Sequence, residues 1–152
     1  MIQHGMRRLW WAVCGMALSL LMLASTGAAG ADAPAPKRWK ILHIMSYHSP
    51  WEWTDEQFRG FQAALQGLDI EYKVFQMDTK NKSSREWKEA VGAQARQLIQ
   101  TWEPDLVYTS DDNVQEFVVR YYVNTALPFV FSVVNADPTV YDFRGSRNIT
   151  GV

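Results

Sequence analysis

The chain has 152 residues, 47% hydrophobic and 20% charged, an ordinary globular composition that excludes long disorder and fibrous architectures. Fifteen Lys plus Arg against sixteen Asp plus Glu give a formal net charge of −1, so no polycationic surface for nucleic acid follows. Seven Trp, six Tyr and seven Phe are many for this length, and suit a binding cleft as well as a core.

Residues 1–31 have the pattern of a cleaved secretory signal peptide, which implies a periplasmic or other extracytoplasmic location. Arg7 and Arg8 give the positive start, and Leu9 to Ala24 is an apolar run broken only by Gly15 and Ser19. At ~16 residues the run is short of the ~20 needed to span a bilayer. Ala29-Gly30-Ala31 fits the small-x-small pattern and places the cut before Asp32, with Ala28-Ala29-Gly30 as the competitor one residue earlier. The only cysteine, Cys14, lies inside this segment and too early for a lipid anchor. The mature chain then has no cysteine, which excludes disulfides, thiolate nucleophiles and cysteine metal sites. Residues 32–39, opening Asp32-Ala33-Pro34-Ala35-Pro36, read as a short extended linker, and 40–152 as the folded domain.

The first strand is expected over Lys40 to Ser46, a short apolar run with β-branched residues. Thr54 and Gln57 have capping-box spacing, and Phe58, Phe61, Leu65 and Leu68 follow at helical intervals, with Gly67 weakening the helix end. Ile70 to Met77 alternates for most of its length and predicts a second strand. Ser83-Ser84-Arg85-Glu86 is another capping box; Trp87, Val91, Leu98 and Trp102 form one helical face, with Ala95 between them, that Pro104 stops. Asp105 to Thr109 predicts a third strand. Ser110 or Asp111 can cap a third helix carrying Val114, Phe117, Val118, Tyr121 and Tyr122, closed by Leu127-Pro128. Phe129 to Val134 is nearly continuous in apolar residues, as in a strand buried on both faces. The alternation predicts an α/β fold, a three-layer parallel sheet with helices on both faces and strand order 2-1-3-4.

Ligands of open parallel sheets bind at the carboxyl ends of the strands. Four loops meet there: Ser46 to Trp53, Asp78-Thr79-Lys80, Ser110 to Asn113, and Asn135-Ala136-Asp137-Pro138. Their hydroxyl, amide, carboxylate and aromatic groups suit a small polar ligand with rings over its apolar faces. Each has a bland alternative: Trp51 and Trp53 can pack the loop on the first helix, and Ser110, Asp111 and Asn113 can cap the third. Adjacent Asp111 and Asp112 oppose an anion and suit an amine better. His48, a loop residue, is a contact candidate, whereas His43 in a strand suits the core. No G-x-G-x-x-G, P-loop or G-x-S-x-G occurs, and His43 and His48 have no metal spacing. Asp78 with Asp111 and Asp112 could hold a divalent cation in principle. A small hydrolase lacks a nucleophile with a base nearby, so the expectation is a non-enzymatic protein without cofactor or metal.

Ser46-Tyr47-His48, Trp53-Thr54-Asp55-Glu56-Gln57, Gly60, Asp78-Thr79-Lys80 and Thr109-Ser110-Asp111-Asp112-Asn113 together resemble the first lobe of type I periplasmic binding proteins. Pro128 to Phe131, Val134-Asn135, Asp137-Pro138 and Asn148 to Val152 continue the resemblance, which spans about residues 40–152. It implies one lobe of a two-lobed protein that encloses an amino acid or similar small organic solute, the substrate-binding component of an ABC transporter with a membrane permease as partner. Similar domains form the extracytoplasmic sensing part of kinases or cyclases. The implied cleft residues are Ser46, Tyr47, His48, Asp78, Thr79, Ser110, Asp111 and Asn135, to which the loop reading adds Trp51 and Trp53. The family's chains go on into a second lobe where this sequence has Val152, so the expectation is a fragment of a two-lobed protein or else a single-lobe protein, holding in either case half of the cleft.

Overall fold

The computed structural model describes residues 37–152; the expected signal peptide and most of the linker lie outside the described residues. Five strands form one all-parallel sheet in the order β2-β1-β3-β4-β5: β1 (Trp39–Met45), β2 (Ile70–Gln76), β3 (Leu106–Ser110), β4 (Phe129–Ser132) and β5 (Ile149–Gly151). Three helices connect them: α1 (Glu52–Ala64), α2 (Arg85–Trp102) and α3 (Asp112–Phe117). The expected order 2-1-3-4 is what the sheet has, with β5 added beyond β4.

The period of two along each strand divides the side chains between two layers. In β1, Leu42 and Ile44 face α2 and α3, packing with Val91, Ala95 and Ile99 of α2, Val107 of β3 and Phe129 of β4. This face is aliphatic and buried. On the opposite face His43 lies among rings: Phe58 and Phe61 of α1, Tyr72 of β2 and Tyr108 of β3. Phe61 and Tyr108 stack in parallel with centroids 3.9 Å apart. His43 is fully buried, its Nδ1 lies 2.7 Å from the Tyr72 hydroxyl, and burial pushes its pKa down to about 3. It is a core residue, as its place in a strand suggests.

α2 meets α3 at Gly92, where an added Cβ would stand 2.7 Å from the Phe117 carbonyl oxygen and 2.9 Å from its Cβ. Hydrogen in place of a side chain is what permits this approach. The approach fixes α3, and with it the loop that opens α3, beneath the carboxyl edge of the sheet.

Four expectations need correction. α1 starts at Glu52, before the predicted Thr54 cap, because Asp55 organises its first turn: its carboxylate accepts from the Trp51 N–H at 3.0 Å and the Ser49 hydroxyl at 2.5 Å. Thr54 is therefore inside the helix and buried, and the helix ends at Ala64, leaving Leu68 outside it and exposed. α2 is capped by Ser84, whose side chain accepts from the Trp87 N–H at 3.2 Å, one residue later than the predicted box. α3 stops at Phe117 and gives way to a 3₁₀ turn, Val119–Tyr122. Phe117, Val118 and Val119 are all buried in succession; a continuous α-helix would carry one of three consecutive residues off the core stripe, and the tighter turn brings Val119 back. β4 ends at Ser132 rather than Val134, since Val133 has φ +59 and cannot continue a strand.

Candidate functional site

The carboxyl edge is tied together by Ser46, the first residue after β1. Its backbone N–H and its hydroxyl both donate to the Ser110 carbonyl, at 3.2 and 2.8 Å. The same hydroxyl accepts from the Val114 N–H at 3.0 Å, so the first turn of α3 is capped by a residue 68 positions away. The Ser46 carbonyl accepts from both the N–H and hydroxyl of Thr79, at 3.0 and 2.6 Å, and the Thr79 hydroxyl accepts from Asn113 Nδ2 at 3.1 Å. Ser46, Thr79 and Ser110 are all buried. They join the loops after β1, β2 and β3, and none of the three lines the groove described below.

Asp111 is the N-terminal cap residue of α3, yet its side chain makes no cap hydrogen bond. Its backbone, at φ 68 and ψ 176, lies in a region that essentially only glycine occupies, held there by its N–H donating to the Ser132 carbonyl at 3.1 Å. This turns the carboxylate toward α1, where Oδ1 accepts from Trp53 Nε1 at 3.0 Å. Asp111 is 2% exposed. Burial raises its pKa to about 6; the Trp53 hydrogen bond works against that rise, neighbouring Asp112 adds to it, and Gln57 and Lys80 oppose it. Asp112 is different. Burial pushes its pKa up, but the Ala136 N–H, the Asn135 side chain and backbone and the Tyr141 hydroxyl together hold it low, at 3.0, 3.1, 3.3 and 2.9 Å respectively. Asp112 and exposed Asn135 thus bind each other and fix the loop after β4.

Tyr47, His48, Trp51 and Asp78 form a second group. Trp51 meets Tyr47 edge-on at 5.3 Å and stacks with His48 at 6.1 Å between centroids. Lys80 places its ammonium 5.5 Å from the Tyr47 ring centre and 5.4 Å from that of Trp51. His48 Nδ1 stands 3.4 Å from Asp78 Oδ1, too poorly aligned for a hydrogen bond. Asp78, at φ 54, also accepts from Asn81 Nδ2 at 2.9 Å. Asp78, Asp111 and Asp112 thus have separate partners, and among the described residues no group of three or more His, Cys, Asp or Glu is placed to hold a metal ion.

Between the start of α1 and the end of β4 lies an open groove of about 590 Å³, lined by Trp51, Glu52, Trp53, Glu56, Gln57 and Val133. Its floor is mostly apolar, and the Gln57 amide is buried, near enough to the Asp111 carboxylate to lower its pKa but not aligned for a regular hydrogen bond. Trp51 and Trp53 belong to the expected set; Glu52, Glu56, Gln57 and Val133 do not. Glu52 with Glu56 and Trp53 with Gln57 are each four apart, the spacing of neighbours on a helix surface, so a helix start placed at Glu52 would have revealed them. The contribution of Val133 depends on its positive φ, which a valine does not announce.

Comparison of the chain with family models, curated proteins and solved structures returned no match.

Proposed function

We propose that the chain is the first lobe of an exported solute-binding protein, the substrate-binding component of an ABC transporter, and that it binds a small polar organic ligand without chemical turnover. The observation that carries this reading is the groove with Trp51 and Trp53 on its wall at the carboxyl end of a parallel sheet, the place where open α/β sheets take ligands. Two indoles supply apolar area, and Glu52 and Glu56 supply carboxylate acceptors on the same lining. Covering about 100 Å² of indole gives about 2.5 kcal/mol, less than the about 4 kcal/mol of a millimolar complex. Directed polar contacts must therefore supply the remainder, and the second lobe of the proposed protein would add more.

The test is tryptophan fluorescence of the full chain, titrated with a panel of amino acids, small amines and small carboxylic acids, with calorimetry on each hit. Saturable quenching that Trp53→Phe reduces is the expected result. No saturable binding of any panel member up to about 10 mM, a range that covers affinities weaker than 4 kcal/mol, would overturn the proposal.

A further inference from the structure

We propose that the groove selects an organic cation: an ammonium group carried on an apolar body, seated on the face of Trp53 and neutralised by Glu52 and Glu56. This rests on the reading of the groove as a ligand site and names the class of ligand it takes.

Three observations lead there. The charge on the lining is one-sided: Glu52 and Glu56 are acidic, and no lining residue is basic. Glu56 pairs with Arg59 at 2.8 Å, whereas Glu52 makes no ion pair among the described residues. An anion would meet like charge there, of which Arg59 compensates only the Glu56 part.

The two indoles also differ. Trp51 already has the His48 ring and the Lys80 ammonium as neighbours. Against Trp53, which is 49% exposed, no ring or cation stands among the described residues. Its face carries no ring or cation, and tryptophan has the strongest cation-binding face of the aromatic residues.

Finally, Trp53 is fixed and polarised from behind. Its Nε1–H donates to the buried Asp111 carboxylate at 3.0 Å. A charge-assisted hydrogen bond holds the ring in one orientation, so little freedom is lost on binding. Withdrawal of the indole proton toward the carboxylate also leaves the ring more electron-rich, which strengthens its attraction for a cation. Asp111 does not touch the ligand in this arrangement; it positions and polarises the ring that does.

Three probes of nearly equal shape separate charge from shape: 2-phenylethylammonium, 2-phenylethanol and 3-phenylpropionate, titrated against the full chain by Trp fluorescence and calorimetry. The ammonium is expected to bind at least about tenfold tighter than the alcohol, with the carboxylate weakest. The double variant Glu52→Gln, Glu56→Gln, whose side chains are at the surface, should lower ammonium affinity about tenfold and leave the alcohol unchanged. Asp111→Asn keeps an acceptor for Trp53 but removes the charge, and should weaken the ammonium alone. If the alcohol or the carboxylate binds as well as the ammonium, or if the double variant binds the ammonium as wild type does, cation selectivity is overturned while the groove stands as a binding site. If none of the three probes binds, and the wider panel also fails, both readings fall.

Discussion

Asp111→Asn is expected to stabilise the folded domain at neutral pH. The carboxyl of Asp111 titrates near 3.8 in the unfolded chain and near 6 in the folded one. Between those values the native state binds more protons than the unfolded state, so this group's contribution to stability falls as pH rises from about 4 to about 6 and is level above. At 1.36 kcal/mol per pH unit, a rise of about two units means that the ionised side chain costs the fold up to about 3 kcal/mol at pH 7. Asparagine imitates the neutral carboxyl, tolerates positive φ better than most residues, and retains an oxygen for Trp53. His43 acts oppositely. Its pKa is lower folded than unfolded, so its contribution is fully present above about pH 6.5 and is lost as the solution is acidified toward pH 3. In the wild type the two slopes oppose each other over pH 4 to 6; in the variant the His43 slope stands without that opposition. Urea denaturation from pH 4 to 8 measures both proteins, and their difference isolates Asp111. The gap should open between pH 4 and 6 and reach a few kcal/mol, which for a folded domain of this size is a rise in Tm of roughly 10 °C. A variant that is less stable than wild type at pH 7, or a gap that does not change with pH, would refute the claim that an ionised carboxylate is held there at a cost.

Three further substitutions test the framework around the site. Ser46→Ala strands the buried Val114 N–H and removes one of two donors to the Ser110 carbonyl; a loss of about 1–3 kcal/mol is expected from urea midpoints, and no loss would mean that α3 needs no distant cap. Gly92→Ala drives a methyl into the Phe117 backbone at 2.7 Å, and the about 1 kcal/mol of helix propensity it gains should be outweighed by about 1–3 kcal/mol of overpacking, lowering Tm; a higher Tm would show that α2 and α3 are not in that contact. Asn148 donates to the Tyr122 and Leu127 carbonyls at 2.9 and 2.7 Å and accepts from the Asn124 N–H at 2.8 Å, so Asn148→Ala should cost about 2–4 kcal/mol through groups left unpaired. Hydrogen exchange should then quicken at β5 before β1, and uniform exchange across the sheet would contradict this assignment.

The sheet was legible because its strands are short apolar runs separated by capped helical stripes, and burial on both faces leaves no other arrangement for such a pattern. β5 was not: Ile149–Gly151 is three residues long, with one apolar side chain, and it becomes a strand only because β4 offers an edge. Ser46, Thr79, Ser110 and Asp111 were correctly gathered at one edge of the sheet, since loop position follows from strand direction. What their side chains do there was not legible. A serine and a threonine after a strand look alike whether they face a ligand or tie two loops together, and the hydrogen bonds from Ser46 to residues 64 and 68 positions away are tertiary facts. The groove itself escaped because the capping signal at Thr54 and Gln57 placed the helix start three residues late. That shift removed Glu52 from the helix and hid its alignment with Glu56.

Positive φ is not confined to one end of the sheet, since Glu103, Asn124 and Asp142 in the connections leading to β3, β4 and β5 also have it, but among the described residues a buried carboxylate stands only at the carboxyl end. Asp111 and Val133 hold positive φ at the carboxyl ends of β3 and β4, and Asp78 does so after β2. Asp111 is a buried carboxylate with no ion-pair partner, and Trp53 is a half-exposed indole beside it. At the amino end of the sheet the acidic residue is satisfied in the ordinary way: Asp105 is half-buried, bonded to Lys37 and to the Lys40 N–H, and those two hydrogen bonds hold its pKa low. Packing alone gives no reason for the difference, because an asparagine at 111 and a glycine at 133 would satisfy the same backbone at lower cost. A recognition site does give one: strain fixes the aim of the Asp111 side chain, the carboxylate fixes Trp53, and the ring is left facing the groove. On that argument Asp111→Asn and Val133→Gly should each raise stability and lower affinity for a cationic probe, and a substitution that raised both would separate the strained backbone from the binding of ligand.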